Sequence, residues 1–569
     1  MYTLGVHFGS HDTSASLVKD GEIIAVMEQE RFDHVKHTVA FPTDAVRFCL
    51  QQAQANFTDL AFIACATDPE FTNIHKVAFV ESGVSDSFTP GMSDRAEIER
   101  IVRDKLAEIS PDAVKVPIYS VDHHRAHAAS TFLISPYEES AIFTVDGMGN
   151  WVTTTGGLGR GDQFEISMEI AHPHSLGLMY GSLTQFLGFR AACDESKVMG
   201  LASYGQPTFL EDFRQLCTYR DGQIVLDLKY FTFHDQPLMN AKGGFNSWYS
   251  DDFVKRFGAA RTPESQLIQR DMDLAHSIQA LLEERAFQLL NFLYDKTQCE
   301  NLCLAGGVAL NSSMNGKISE NTPFRNVFVV PAANDAGLSL GAALCCSAEK
   351  SKNFKRHPLS HAYFGSQHSV EEIKAEIKKL PPEIEVTTPE NLTEETAKLL
   401  GQFAIVGWYQ GRMEFGPRAL GNRSILANPT KAESKDIVNQ KVKFREHFRP
   451  FAPTTPLEHA GEYFESNSEM PFMLMVVKVR SEKRNVIPAV THVDETARVQ
   501  TVTKDQNPLL YELLHFMKAQ NGVPVLLNTS FNIRGDTIVR TPEDAIRCLL
   551  KTGMNALAIG PFLLKKPDR

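Results

Sequence analysis

The amino-acid sequence predicts an α/β protein built in two halves, and three observations carry that reading. Short apolar runs of strand length recur, and they break at glycines or polar turns, as at 302–305 before Gly306-Gly307 and at 523–527 before Asn528. Residues 271–295 instead space Leu274, Ile278, Leu281 and Leu282 at helical intervals, so that they share one face. Between 347 and 368 the composition turns polar and basic, through Lys350, Lys352, Lys355, Arg356, His357 and Pro358, which places a domain boundary there. The expected domains are 1–355 and 356–569.

Residues 2–8 read as a first strand, Gly9-Ser10-His11-Asp12 as a polar turn and 13–18 as a second strand. Lys19-Asp20-Gly21 is a hairpin turn and 22–27 a third strand. The pattern returns with a strand at 141–145, a turn at 146–150 and a strand at 151–155, punctuated by Gly156, Gly157 and Gly159. Two such units suggest a duplicated subdomain, the plan on which actin-like sugar kinases and heat-shock ATPases close over a nucleotide. Between the two units, alanines favour a helix over 122–130. That helix sets His123 and His127 four residues apart on one face, where both imidazoles can reach one ion. The strand at 141–145 ends at Asp146-Gly147, which puts a carboxylate beside a cleft. The ordinary alternative is a pair of helix histidines and a turn-forming aspartate.

Residues 194–205 carry Lys197, either a phosphate or substrate contact or a solvated loop lysine. The strand at 302–305 enters a helix through Gly306-Gly307 and reaches Asn311. Such a turn offers free N–H groups to a phosphate, and a plain tight turn is the alternative. The strand at 327–330 leads to Asp335, which opens a small-residue helix as a cap or a metal ligand. In the second half, 370–379 and 394–400 read as charged helices and 404–409 as a strand. That strand enters 411–424, with Arg412, Arg418 and Arg423, and Lys441, Lys443, Arg445 and Arg449 follow closely. Arginine suits bidentate recognition of phosphate or carboxylate. The interleaved glycines, Phe415 and Pro417 shape a loop and do not extend a surface helix. The last strand delivers Asn528, Ser530 and Asn532, a ligand-binding set or an ordinary polar turn.

The 569 residues, 43% hydrophobic and 22% charged, describe an ordinary globular chain with a large core. A formal net charge of -12 argues against general nucleic-acid affinity. The nine cysteines include one adjacent pair, Cys345-Cys346, and no Cys-x-x-Cys, which fits reduced thiols in a cytoplasmic setting. Residues 1–5 lack the basic start and apolar core of a signal peptide, and no apolar run is long enough to span a bilayer.

The blocks at 123–132, 194–205, 304–311, 334–343, 411–424, 448–453 and 528–532, in that order over almost the whole chain, resemble the O-carbamoyltransferases of the NodU/CmcH family. That family decorates antibiotics and nodulation factors. The longest and most specific run is 411–424. The resemblance implies a fusion. Its N-terminal half is similar to the actin-like enzyme that transfers threonylcarbamoyl to tRNA. Its C-terminal half is similar to the α/β YrdC-type domain that makes the carbamoyl adenylate. By this resemblance His123, His127 and Asp335 ligate a divalent metal, with iron the expected ion, and Asp146 lies in the same site. Gly306, Gly307 and Asn311 line a nucleotide pocket. Arg418, Lys443, Arg449, Arg498, Asn528 and Ser530 hold carbamoyl phosphate and ATP, with room for Mg2+. His11 and Lys36 fall to the acceptor site, and together with His127, Arg418 and Lys443 they form the catalytic set.

The implied reaction has two steps. Carbamoyl phosphate and ATP give carbamoyl adenylate, and a hydroxyl of a small-molecule acceptor then takes the carbamoyl group as AMP leaves. Two rival readings stay open: an actin-like sugar kinase or ATPase with an accessory domain, and a non-catalytic nucleotide-binding module. No motif encodes the acceptor, the metal or the oligomeric state.

Overall fold

The computed structural model describes residues 1–67, 95–238 and 245–567. They form two compact units, Met1–Gln29 with Val39–Leu359, and Glu30–Thr38 with Ser360–Arg569. The short segment Glu30–Thr38, which the sequence reading leaves in the first half, belongs to the second unit.

The first unit contains one plan twice. In its first sheet, β1 (Tyr2–His7), β2 (Ser14–Lys19) and β3 (Glu22–Glu28) form an antiparallel meander. On its other side β1 pairs in parallel with β4 (Leu60–Cys65), which pairs in parallel with β5 (Ile118–Ser120). In the second sheet, β6 (Glu139–Gly149), β7 (Val152–Arg160) and β8 (Gln163–Ala171) form the meander. β9 (Asn301–Ala305) and β10 (Asn326–Val329) extend it in parallel from β6. The two strand orders, β3-β2-β1-β4-β5 and β8-β7-β6-β9-β10, match in sequence and direction. This is the duplicated actin-like architecture. Each fifth strand is followed by a helix, α1 (His123–Phe132) after β5 and, further along the chain, α3 (Leu338–Lys350) after β10. The helical spacing around Leu274 to Leu293 builds α2 (Gln269–Thr297), whose apolar face is buried.

One element differs from its sequence reading. Residues 146–148 are not the turn of the second meander. The strand continues to Gly149, and the tight turn falls at Asn150 and Trp151, with φ of 50° and 67°. The ladder to β7 shifts register between Val145 and Gly149, so 146–148 form a bulge inside β6. A bulge re-aims side chains that a regular strand would point elsewhere.

The second unit is built on one mixed eight-stranded sheet. Its strands are β11 (Glu385–Thr387), β12 (Val406–Tyr409), β13 (Arg423–Ala427), β14 (Ala452–Pro456), β15 (Gln500–Val502), β16 (Leu526–Ser530), β17 (Ala556–Ile559) and β18 (Phe562–Lys565), in spatial order β11-β18-β17-β12-β13-β16-β14-β15. Side chains alternate across it. Trp408, Leu426 and Leu526 pack with Leu400 of α4 (Leu392–Gly401) and with Leu513 and Met517 of α5 (Pro508–Asn521). Their neighbours Tyr409, Ile425 and Leu527 cluster with Ile546 and Leu549 of α6 (Pro542–Lys551). Among the described residues no helix is long and apolar enough to cross a membrane.

Candidate metal centre and anion pocket

Four side chains named from the sequence meet inside the first unit. Asp122 starts α1, its Oδ1 accepting from the Arg125 N–H at 2.8 Å. His123 and His127 then project from one face. The bulge in β6 aims Asp146 at them, and Asp335 stands just beyond β10. One ligand atom from each of the four lies within 4.8 Å of the others. Asp146 Oδ2 is 3.3 Å from His123 Nε2 and 3.1 Å from His127 Nε2. Asp335 Oδ1 is 3.7 and 3.6 Å from the same two atoms. Each carboxylate gives its other oxygen to the protein. Asp146 Oδ1 accepts the N–H groups of Gly147 and Gly307 at 2.7 and 3.2 Å. Asp335 Oδ2 accepts the Ser10 hydroxyl at 2.9 Å. Helix capping, the ordinary use of such an aspartate, is not what Asp335 does, since α3 begins without a side-chain cap.

The electrostatics follow from burial and pairing. Burial alone would push the His127 imidazole down, but hydrogen bonds to Asp146 and Asp335 outweigh it and lift the pKa to about 9. Burial opposes ionisation of Asp146, and the two histidines overcome it and hold the carboxyl well below its usual range. Asp335 is also lowered against its burial, chiefly by His123. Two imidazoles and two ionised carboxylates, facing inward with their remaining oxygens already bonded, are a donor set suited to a divalent transition ion. The residues present therefore fit a metal.

Two glycines make the approach possible. A Cβ on Gly149 would lie 2.1 Å from His123 Cδ2. Gly306 has φ of 90°, and a Cβ there would meet the Val145 carbonyl at 2.2 Å. Of the two readings of the paired-glycine turn, the hydrogen bonds fit the plain turn, since neither N–H group is free. Gly306 N–H is bonded to the Ala333 carbonyl at 2.7 Å, and Gly307 N–H serves Asp146. Asn311 caps the helix Ser312–Gly316, accepting from Met314 N–H at 3.0 Å and donating to Gln279 Oε1 at 2.9 Å.

His11 lies beside this centre, half exposed, with Nδ1 2.9 Å from Asp12 Oδ2. Lys36 belongs to the second unit, so the two acceptor-site candidates stand in different units. The sequence reading missed His7 and Ser10. His7 Nε2 lies 3.0 Å from Ser10 Oγ and 3.7 Å from Asp335 Oδ2, and burial pushes its pKa down to about 4. The available signal was the repeat itself, because His7 ends β1 as Asp146 departs from β6.

The second unit gathers cations. The loop between β12 and β13 is held by two buried groups. Glu414 Oε1 accepts the N–H groups of Leu420, Asn422 and Arg423 at 2.8, 2.7 and 3.0 Å. Arg423 lies 3.7 Å over the Tyr409 ring and donates to the carbonyls of Gln410, Asn422, Ser366 and Gly411. Arg412 likewise donates to the Gly365 carbonyl. Among the described residues the Nε atoms of Arg418, Arg423 and Arg498 are all buried without a hydrogen-bond partner, but the terminal nitrogens of Arg423 are taken up by carbonyls. Burial, then Arg449, lowers Arg418 to about 10. Burial, then Arg418, Arg445 and Arg449, depresses Arg498 well below the usual guanidinium range. Lys443 is depressed by burial and next by Arg445, and the exposed Lys36 adds to that field. Arg445, absent from the site inferred by resemblance, is part of the cluster, stacked 4.5 Å from Phe451 and bonded to Asn439 Oδ1. Glu446 lies 4.0 Å from Arg449. Lys443 Nζ donates to Ser530 Oγ and O at 3.1 and 2.8 Å and to Asn532. So many close cations make a pocket suited to an anion of high charge.

The carbamoyltransferase N-terminus model matches residues 2–344 and the carbamoyltransferase C-terminus model residues 397–566. An uncharacterized protein of Synechocystis sp. is 38% identical over 606 residues, covering 99% of this chain and 97% of that one. Nodulation protein NolNO of Sinorhizobium fredii is 37% identical, over 98% of this chain and 79% of its own length. The 3'-hydroxymethylcephem-O-carbamoyltransferase of Amycolatopsis lactamdurans is 28% identical, over 78% and 80%. With both halves of the family matched in order, the chain belongs to the carbamoyltransferase family and is an enzyme of the transferase class.

Proposed function

We propose that this enzyme makes carbamoyl adenylate from carbamoyl phosphate and ATP in its second unit and transfers the carbamoyl group to a hydroxyl of a small molecule. The observation that carries the reading is the cation cluster of Arg418, Lys443, Arg445, Arg449 and Arg498, in which Arg418, Lys443, Arg445 and Arg498 are depressed by burial and by their neighbours. Two polyanionic substrates meeting in one pocket carry the charge opposite to this cluster.

The atoms balance with one water. Water cleaves carbamoyl phosphate to carbamate and phosphate. A carbamate oxygen then attacks the α-phosphorus of ATP, the bond to the β-phosphate oxygen breaks, and pyrophosphate leaves. Lys443, its ammonium aimed by Ser530 and Asn532, and the guanidinium groups of Arg418 and Arg498 balance the charge on the transferring and departing oxygens. In the transfer step the acceptor oxygen attacks the carbamoyl carbon, and AMP departs. A divalent ion held by His123, His127, Asp146 and Asp335, iron by the resemblance, would supply Lewis-acid polarisation there. Ser10 and Gly307 keep the two carboxylates oriented, and His11 stands next to the centre as the candidate to take the acceptor's proton. The nucleotide is assigned to the surroundings of Gly306, Gly307 and Asn311. The relative from Amycolatopsis lactamdurans, named for O-carbamoylation of a hydroxymethyl cephem, supports a hydroxyl-bearing small molecule as acceptor. Nine free cysteines suit a reducing cytoplasm.

The test is release of pyrophosphate and AMP from ATP, with and without carbamoyl phosphate. Carbamoyl-phosphate-dependent pyrophosphate is the expected result. Formation of ADP without any need for carbamoyl phosphate would favour the sugar-kinase alternative and overturn this one.

A further inference from the structure

The donor pocket presents guanidinium and ammonium groups, which can only donate hydrogen bonds. They serve phosphate oxygens and a carbonyl oxygen. A carbamoyl group also carries an –NH2, which needs an acceptor. One acceptor stands in reserve: Asn528 Oδ1 is buried and receives no hydrogen bond among the described residues. Asn528 lies on β16 two residues before Ser530, whose oxygens anchor Lys443, and side chains two apart share a face.

The orientation of that amide is set by a chain of hydrogen bonds. The Leu420 main-chain carbonyl, 2.6 Å from the Gln500 side chain, can only accept, so Gln500 must turn its Nε2 towards it. The same carbonyl also accepts the Tyr363 hydroxyl at 2.8 Å, which leaves it no freedom to move away. Gln500 Oε1 therefore faces Asn528 at 2.8 Å and requires its Nδ2. Asn528 Oδ1 is left on the far side, as an acceptor. The chain ties together the segments that carry the cations: Leu420 is two residues from Arg418, Gln500 two from Arg498, and Asn528 two from Ser530. Gln500 is 2% exposed and Asn528 1%, so water does not compete for these bonds.

We propose that Gln500 is a positioning residue that makes the donor pocket selective for a carbamoyl group, by holding Asn528 so that its Oδ1 receives the carbamoyl –NH2. This rests on the adenylate-forming reading above. Acetyl phosphate is the discriminating probe, because it keeps the phosphate and the carbonyl and puts –CH3 in place of –NH2. Its turnover would run in parallel: water gives acetate and phosphate, and an acetate oxygen displaces pyrophosphate from ATP.

The experiment compares kcat/KM for pyrophosphate release with the two acyl phosphates at saturating ATP. The wild-type enzyme should favour carbamoyl phosphate by roughly 100-fold or more, as sites built around a substrate N–H do. Gln500→Met, similar in length and unable to hydrogen-bond to Leu420, frees the Asn528 amide to rotate. It should cut that preference by about tenfold or more while leaving the KM for ATP nearly unchanged, a split that a general loss of structure would not produce. Asn528→Leu should abolish the preference and serves if Gln500→Met does not fold. A wild-type preference below about tenfold, or variants that lower both substrates equally, overturns the proposal. No pyrophosphate from wild-type enzyme with carbamoyl phosphate would sink the adenylate-forming reading itself, and this proposal with it.

Discussion

Replacing Arg418 with methionine should stabilise the ligand-free second unit. Burial and the nearby Arg449 lower the Arg418 guanidinium from 12.5 to about 10. Keeping it charged in the folded state therefore costs roughly 3 kcal/mol relative to water. The outer face of Arg418 is only half-buried, so solvent screens part of this, and a gain of about 1–2 kcal/mol is expected from removing the charge. The folded value lies below the unfolded one, so the cost is fully present below about pH 10 and lifts only as pH climbs from there towards 12.5. At neutral pH the whole effect is visible. Methionine keeps the apolar stem and deletes an Nε that has no partner among the described residues. Hydrogen–deuterium exchange on peptides from Val406–Tyr409 and Leu526–Ser530 reads the second unit by itself. Inorganic pyrophosphate at a hundred times its Kd should protect the wild type by about 2.7 kcal/mol. It should protect the variant far less. Loss of more than about 1 kcal/mol of protection in ligand-free Arg418→Met, or equal protection of both proteins by pyrophosphate, would refute the argument that this charge awaits an anion.

In the first unit, His127→Ala and Asp335→Asn should each weaken Mn2+ or Fe2+ binding, measured by calorimetry, by about 100-fold or more. Gly149→Ala, whose Cβ would fall 2.1 Å from the His123 ring, should lower metal loading without touching a ligand. His492 is pushed by burial down to about 4. The unfolded chain protonates it first, near 6.5, so its contribution to stability is complete above that pH and drains away as pH falls towards 4. Exchange protection in the second unit should drop by about 1–2 kcal/mol between pH 7 and 4 on this account, and His492→Gln should flatten the profile. Glu414→Ala leaves three loop N–H groups without their acceptor and should loosen 411–424 by about 3 kcal/mol, seen as faster exchange of that loop with β12 unaffected.

The duplicated first unit was legible because period-two apolar runs and glycine turns are local signals. The histidine pair was legible because a helical spacing fixes which residues share a face. What lay outside local pattern was less so. Asp146 was placed at a turn, since a bulge is defined by the partner strand and leaves no mark on its own residues. The glycines at 306 and 307 could be read as a phosphate cradle or a plain tight turn, and what decides between them, N–H groups claimed by Ala333 and Asp146, lies far apart in sequence. His7 and Ser10 were passed over because neither stands in a recognisable spacing. Glu30–Thr38 sits in a run with no composition change to announce that it leaves one unit for the other. Among the arginines of 411–424, sequence could not tell Arg418 from Arg423, whose terminal guanidinium nitrogens are absorbed by main-chain carbonyls.

The repeated strand plan of the first unit gives its candidate metal centre a hidden pseudo-symmetry. His7 and Asp146 stand at corresponding places, on the founding strand of each copy, and the α1 histidines correspond to Asp335, each set opening the passage from a fifth strand to its helix. Two half-sites thus contribute from equivalent positions but with different chemistry: only imidazoles come from one copy, only carboxylates from the other. The polarity of the centre is written in residue types over a nearly symmetric frame. Neither copy alone holds all four candidate ligands, so an ion bound there would stabilise the joining of the copies.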